Sequence, residues 1–196
     1  MKVKQDSKEA IYEGVLNLLD EVPILDLSVS KLKKHTGLST GTFYYHFPNG
    51  IEDIFKSLFV KLTSRIRNEV YQAAISAKTI DETLDALVTT YFNWHKNNLR
   101  ESSFFWRVSE SGFSEIRHLI QKEYRSLSTK IYEVLCEQGE SEGVKVISPN
   151  ILDAFLYGAA RELIHSWIGR GRREEEFEKM RVEFIDALHR ACIDKN

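Results

Sequence analysis

Apolar residues recur along almost the whole chain in steps of three and four, the spacing that gives a helix one buried face. Over about residues 7–19 the apolar set is Ile11, Val15, Leu18 and Leu19. Ser28 or Ser30 caps a second, short helix to about residue 35, with Val29 and Leu32 facing inward. A third short helix places Phe43 and Phe47 on one face, four residues apart. A long helix comes next over about 51–77, with Ile54, Leu58, Leu62, Ile66 and Val70 in steps of four. Asp81 is placed to cap the next, about 82–97, which carries Leu84, Leu87, Val88, Tyr91 and Phe92. The aromatic cluster Phe104-Phe105-Trp106 comes before a Ser-Gly-Phe break at Gly112. Three more helices, about 114–138, 149–169 and 173–192, complete an all-α pattern.

The breaks between these segments have local causes. Pro23 restricts its neighbour and has no N–H to donate, so the first helix stops before it. Gly37 can adopt the positive φ that ends a helix tightly. Pro48-Asn49-Gly50 is a turn signal. Residues 1–50 then form a small three-helix domain and 51–196 a larger helical one. Three helices in under fifty residues bury little surface, so the first unit must lean on residues beyond 50.

The 149–169 helix is apolar on two sides. Ile151, Phe155 and Ala159 form one stripe, and Leu156, Tyr157, Ala160, Ile164, Trp167 and Ile168 cover much of the other side. Such a helix must be covered on both sides. Pairing of the last two helices with their copies, as a four-helix bundle across a two-fold axis, would do this. Burial of both faces within one subunit would do it equally well.

The densest chemistry lies at residues 36–47, Thr-Gly-Leu-Ser-Thr-Gly-Thr-Phe-Tyr-Tyr-His-Phe. Ser39 is a good N-cap for the short helix, its hydroxyl accepting an N–H left orphaned in the first turn. Thr40, Thr42, Tyr44, Tyr45 and His46 spread over the surface that Phe43 and Phe47 leave. Hydroxyls and phenols beside a helix N-terminus suit phosphate oxygens and base edges.

Charge sharpens that picture locally. The net charge is −2, so nucleic-acid binding must come from a patch. Between Leu27 and Ile51 there is no acidic residue, whereas Lys31, Lys33 and Lys34 are positive. Lys2, Lys4 and Lys8, near the N-terminus, are further candidates for a phosphate backbone. Three lysines alone would be no more than a solvated face, but the capped aromatic helix beside them is not explained that way. A hydrophobic content of 42% allows a sizeable core. Cys136 and Cys192 lie far apart without metal-ligand spacing, as expected of free thiols in a reducing cytoplasm. No apolar run approaches a membrane span, and no segment has the character of a signal peptide.

The 36–47 stretch resembles the TetR family of bacterial transcriptional regulators. Its signature there runs small-Gly-hydrophobic-Ser-x-Gly-Thr-hydrophobic-Tyr-x-His/Tyr-Phe, and the match here is close over twelve positions. The resemblance is confined to about the first sixty residues; beyond them only length and helical rhythm are alike. It implies a homodimer that sets two recognition helices in successive major grooves of a pseudo-palindromic operator, about 34–36 Å apart. Thr40 and Thr42 would read base edges, with Gly41 allowing close approach. Tyr44, Tyr45 and His46, with Lys34 and the capped turn at Ser39, would hold phosphates. Two positions depart from the family pattern. Lys33 stands where a small Ala is usual, and Gly50 where a phosphate-binding Lys often sits.

The resemblance also implies that a small molecule bound in the larger domain releases the DNA, through differential affinity for two dimer states. Tyr91, Trp94, Phe104, Phe105, Trp106, Phe113, Tyr124 and Phe155 are candidate pocket residues, and Glu162 a polar contact for a cationic or hydroxyl group. Their character points to an apolar or aromatic effector, although aromatics at helical spacing are also ordinary core. The expected protein is a cytoplasmic repressor, not an enzyme, without a cofactor. Two rival readings stand beside it. Glu115-x-x-His118 and Glu162-x-x-His165 have the spacing of a di-metal bundle enzyme, with Glu69 and Asp85 available as further carboxylates. A helical binding protein without DNA activity is the other.

Overall fold

The computed structural model describes residues 2–194, apart from the side chains of 2–5, 114, 117, 120–128 and 193–194. It is all-α. The helices are α1 (Lys2–Leu18), α2 (Val29–Thr36), α3 (Thr40–His46), α4 (Ile51–Ser76), α5 (Ile80–Asn97), α6 (Leu99–Glu110) and α7 (Ser114–Glu142). They continue with α8 (Pro149–Asp153), a π-helical segment (Ala154–Ala159), α9 (Ala160–Gly169) and α10 (Glu174–Cys192). Among the described residues, extended structure is confined to β1 (Lys145–Val146) paired antiparallel with β2 (Ile193–Asp194).

Packing groups the chain into two compact units. One holds the residues up to Thr63 together with Asn98–Ile120; the other holds Ser64–Asn97 and the residues from Gln121 on. The turn at 48–50 ends the three-helix motif but not its core. Ile54, Phe55, Leu58 and Phe59 of α4 and Phe104 and Val108 of α6 are buried in one cluster with Ile11, Val15, Leu32 and Phe43. The three short helices have too little apolar surface of their own and complete a core with helices from beyond residue 50. Polar contacts tie the same unit. Arg100 on α6 bonds Asn17 and lies 3.5 Å from Glu13, both on α1, while Lys56 pairs with Glu115. On α1 and α4, the Tyr12 and Ser57 hydroxyls lie 2.6 Å apart.

In the second unit α5 packs against α10. Phe92 stacks near Phe177 and Phe184, with centroids 5.9 and 5.5 Å away, and Trp167 lies 4.8 Å from Phe177. Trp167 buries its indole because its N–H finds an acceptor, the Arg173 carbonyl at 2.9 Å. The cap of α5 is Thr79 rather than Asp81. The Thr79 hydroxyl accepts from the Glu82 N–H at 3.2 Å, and the Glu82 carboxylate accepts from the Lys78 N–H at 2.8 Å. This is a variant of the Thr-x-x-Glu capping box. It leaves Asp81 to face Nδ1 of His189 at 3.0 Å, while Asp85 faces Nε2 at 2.7 Å.

The segment expected as one helix over 149–169 contains a π turn, and its sequence gives a reason. Leu152, Leu156, Ala160 and Ile164 are all buried and repeat every four residues. In a regular α-helix each such step overshoots a full turn by about 40°, so the stripe would drift off the core. A wider i→i+5 turn rotates less per residue and brings it back. The outward side keeps its own stripe. Ile151 is 51% exposed, Phe155 half-buried and Ala159 exposed; Val182 on α10 is 50% exposed.

Candidate nucleic-acid interface

The α2–α3 turn is built by local chemistry. The Ser28 hydroxyl accepts from the Lys31 N–H at 3.3 Å to open α2. Gly37 closes it at φ 72°, its N–H donating to the Lys33 carbonyl at 3.0 Å. A Cβ at Gly37 would meet nothing within 4 Å, so glycine is required there by φ and not by space. The Thr36 hydroxyl donates to the Leu32 carbonyl at 2.8 Å and accepts from the Leu38 N–H at 3.3 Å, which clips the turn. Ser39 then caps α3 as expected, accepting from the Thr42 N–H at 3.2 Å.

Phe43 and Phe47 are buried, which orients α3 on the core. Burial of a side chain of this size is worth about 1.5–3 kcal/mol. Thr40, Gly41, Tyr44 and Tyr45 share one exposed face, and Tyr44 and Tyr45 are exposed to 50% and 62%. Lys31, Lys33 and Lys34 are exposed along α2, and Lys33 does not disturb the inward packing of Leu32. Thr42, the other expected base reader, sits beside the cap. It is half-buried, and its hydroxyl lies 2.9 Å from the Ser39 hydroxyl, inside the cap. Gly50, where a lysine is usual in the family, is buried at φ 72° and shapes the entry to α4. Beside it the Asn49 N–H donates to Asp53 at 2.9 Å, and this bond holds the Asp53 carboxyl below its ordinary pKa.

Contacts from α1 to the end of α3 escape sequence reasoning. Nε2 of His46 lies 2.9 Å from the Ser7 hydroxyl, and the Lys8 ammonium sits 5.6 Å from the Phe47 ring and 5.7 Å from that of Tyr12. Ser7 and His46 are 39 residues apart, and no local pattern links them. The side chains of Lys2 and Lys4 lie outside the described residues.

The residues expected to line one effector pocket are not gathered together. Phe104 and Phe113 pack on Phe55 at 6.2 and 5.9 Å, and Phe105 meets Phe59 edge-on at 5.4 Å. All three therefore support the core beneath the helix-turn-helix, because residues 98–120 belong to that unit; Trp106 lies on α6, half-buried. In the second unit, Tyr91 lines a cleft with Val70, Leu87, Val88, Phe92, Leu156, Tyr157, Ala160 and Phe184. It is narrow, and apolar except for the two tyrosines. Trp94 is buried one turn away, beside His95, whose burial pushes its pKa down to about 3. Phe155 and Glu162 lie on the outward side of the 149–169 segment, with Glu162 exposed, so neither points into that cleft. The side chain of Tyr124 is outside the described residues.

The di-metal constellation is not assembled. Glu115 and Glu162 fall in different compact units. Glu115 pairs with Lys56 and His118 is exposed. Of the extra carboxylates, Asp85 faces His189 and Glu69 lies 3.4 Å from Arg65. Among the described residues no three His, Cys, Asp or Glu side chains group as a metal site, and no helix is long and apolar enough to cross a membrane. Cys136 is half-buried and Cys192 buried, both as free thiols.

No protein-family model matches the chain. It is 34% identical over 77 residues to the HTH-type transcriptional regulator EthR of Mycobacterium tuberculosis. That match covers 39% of this chain and 32% of the relative, about a third of the relative's length. Solved structures align over nearly everything. The fatty acid degradation regulator FadR of Bacillus halodurans has a TM-score of 0.79 at 19% identity, covering 93% of this chain and 96% of that one. FadR of Bacillus subtilis, solved in complex with stearoyl-CoA, has 0.79 at 18% identity, over 92% and 96%. A TetR family transcription regulator of Marinobacter aquaeolei has 0.71 at 20% identity, over the whole of both chains. With the signature at residues 36–47 and this all-α fold along its length, the chain resembles the TetR family of transcriptional regulators in sequence and has the fold of that family.

Proposed function

We propose that this chain is a cytoplasmic transcriptional repressor that binds a pseudo-palindromic operator as a homodimer and leaves it when a small apolar effector occupies the second unit. The observation that carries the reading is the α3 face of Thr40, Gly41, Tyr44 and Tyr45. It is exposed, set by the Gly37 turn and the Ser39 cap, and flanked by the lysines of α2. Thr40 and Gly41, in the first turn of α3, are the base-edge readers. Tyr44, Tyr45, His46 and Lys34 hold phosphates. Thr42 contributes by keeping the cap. The partner subunit packs on the outward stripe of Ile151, Phe155 and Ala159 with Val182, a surface that a lone chain would leave wet.

For the effector, the apolar lining around Tyr91 and Tyr157 favours a hydrocarbon body. The stearoyl-CoA bound by the Bacillus subtilis FadR makes a long-chain acyl thioester the first class to try. Regulation of this kind needs binding alone, with no catalytic step and no cofactor.

The test is selection of bound duplexes from a random library, then footprinting and gel shift with the DNA upstream of the chain's own gene. A two-fold symmetric site protected by the unsubstituted chain, and lost on Thr40→Ala with Tyr44→Ala in a folded dimer, is the expected result. Protection that survives both substitutions would falsify the assignment of the recognition face.

A further inference from the structure

We infer that Ser7 is a positioning residue for DNA binding, holding the direction of His46 so that its Nδ1 edge is presented to a backbone phosphate. The inference rests on the regulator reading above. Nε2 of His46 lies 2.9 Å from the Ser7 hydroxyl, a contact from α1 to the last residue of α3. A neutral imidazole carries one N–H, and what bonds one nitrogen decides the state of the other. When Ser7 donates to Nε2, the proton sits on Nδ1, and an acceptor-only phosphate oxygen can then be bound without further rearrangement.

The ring is held in direction by its other neighbours as well. Tyr45 meets it edge-on at 5.1 Å and Phe47 is tilted against it at 6.1 Å. Lys8, one residue on from Ser7, carries its ammonium 5.6 Å from the centroid of Phe47. A cation, an oriented N–H and the exposed Tyr45 thus border one corner where α1 meets the end of α3. The ligand chemistry of such a corner is a phosphodiester. Ser7 itself does not touch it; its role is to hold the ring so that Nδ1 faces the phosphate, its hydroxyl donating to Nε2 when Nδ1 carries the proton.

The experiment is a double-substitution cycle read by fluorescence anisotropy. Its probe is a labelled random-sequence duplex about three helical turns long at low salt, because a phosphate contact carries no base preference. Ser7→Ala is expected to weaken binding about fivefold, the scale of one hydrogen bond, and Ser7→Thr to restore it. In a His46→Gln background, whose amide occupies the Nε2 position, Ser7→Ala should change nothing further. His46→Asn sets an amide N–H at the Nδ1 position and should bind well whether or not Ser7 is present. Equal losses from Ser7→Ala in the His46 and His46→Gln chains would overturn the assignment, as would a silent Ser7→Ala in a chain that binds. If the unsubstituted chain binds no duplex at all, the regulator reading fails and this inference falls with it.

Discussion

The tight backbone approach between α1 and α2 can be tested by adding one carbon. Gly14 lies on α1 opposite the end of α2, and a Cβ built there would sit 2.8 Å from Cγ2 of Thr36 and 3.5 Å from Cδ2 of Leu32. Carbon atoms pack at about 3.5–4.0 Å, so roughly 1 Å of overlap must be relieved. Turning Thr36 away would break its bonds to the Leu32 carbonyl and the Leu38 N–H, each worth about 1 kcal/mol. Shifting α2 instead would disturb the buried Leu32. Against this, Ala is better than Gly inside a helix by about 0.5–1 kcal/mol. The balance is a loss of about 1 kcal/mol for Gly14→Ala. Thr36→Ser removes the offending methyl and keeps the hydroxyl, so in that background the same change should stabilise by about 0.5–1 kcal/mol. The sign reversal is read by urea denaturation with far-ultraviolet circular dichroism, and amide exchange on α1 localises it. Stabilisation by Gly14→Ala in the chain that retains Thr36, or an equal loss in both backgrounds, would refute the close approach.

Burial yields two more expected outcomes. His95 stays neutral in the fold with its pKa at about 3, against about 6.5 when exposed. Below about pH 6.5 the unfolded chain therefore takes up a proton that the folded chain does not. The stability His95 contributes at neutral pH is lost as pH falls toward about 3, by up to ~1.4 kcal/mol per pH unit. His95→Gln should flatten that part of a stability–pH curve, and an unchanged slope would assign it elsewhere. Ile151→Asp with Val182→Asp places two charges on the outward stripe, where the residues are 51% and 50% exposed and a lone subunit should tolerate them. Sedimentation should show the proposed dimer weakened by more than about tenfold at unchanged helix content; an intact dimer would move the interface off this stripe.

Features decided locally could be read from the sequence. The Gly37 turn, the Ser39 cap and the inward Phe43 depend on neighbours within four residues, and each stands where the pattern placed it. Periodicity shows that Phe104, Phe105 and Phe113 are apolar and suited to burial but not in which core, because spacing along one helix carries no record of which distant residues it meets. Asp81 lost the cap of α5 to Thr79, which has the right offset from Glu82 and leaves Asp81 to a histidine on a distant helix. Thr42 reads as a free hydroxyl because the Ser39 side chain that engages it is visible only in three dimensions. The Ser7–His46 contact is of the same kind, joining residues with no common sequence pattern.

The π turn at residues 154–159 makes the segment from Pro149 to Gly169 behave as a phase adjuster. Deleting any one residue within it would let the chain close as an ordinary α-helix without leaving a backbone group unbonded. The flanks would keep nearly their present phase, because eleven α-helical steps from Leu152 to Ile164 turn the chain by about 1,100°, about 20° past three full turns. Leu152 would stay in the core with Ile164, whereas closing the turn as an α-helix with no residue removed would carry it about 120° off that stripe. The wide turn therefore lets the segment carry one residue more than a regular helix without changing the surface it offers to a neighbour.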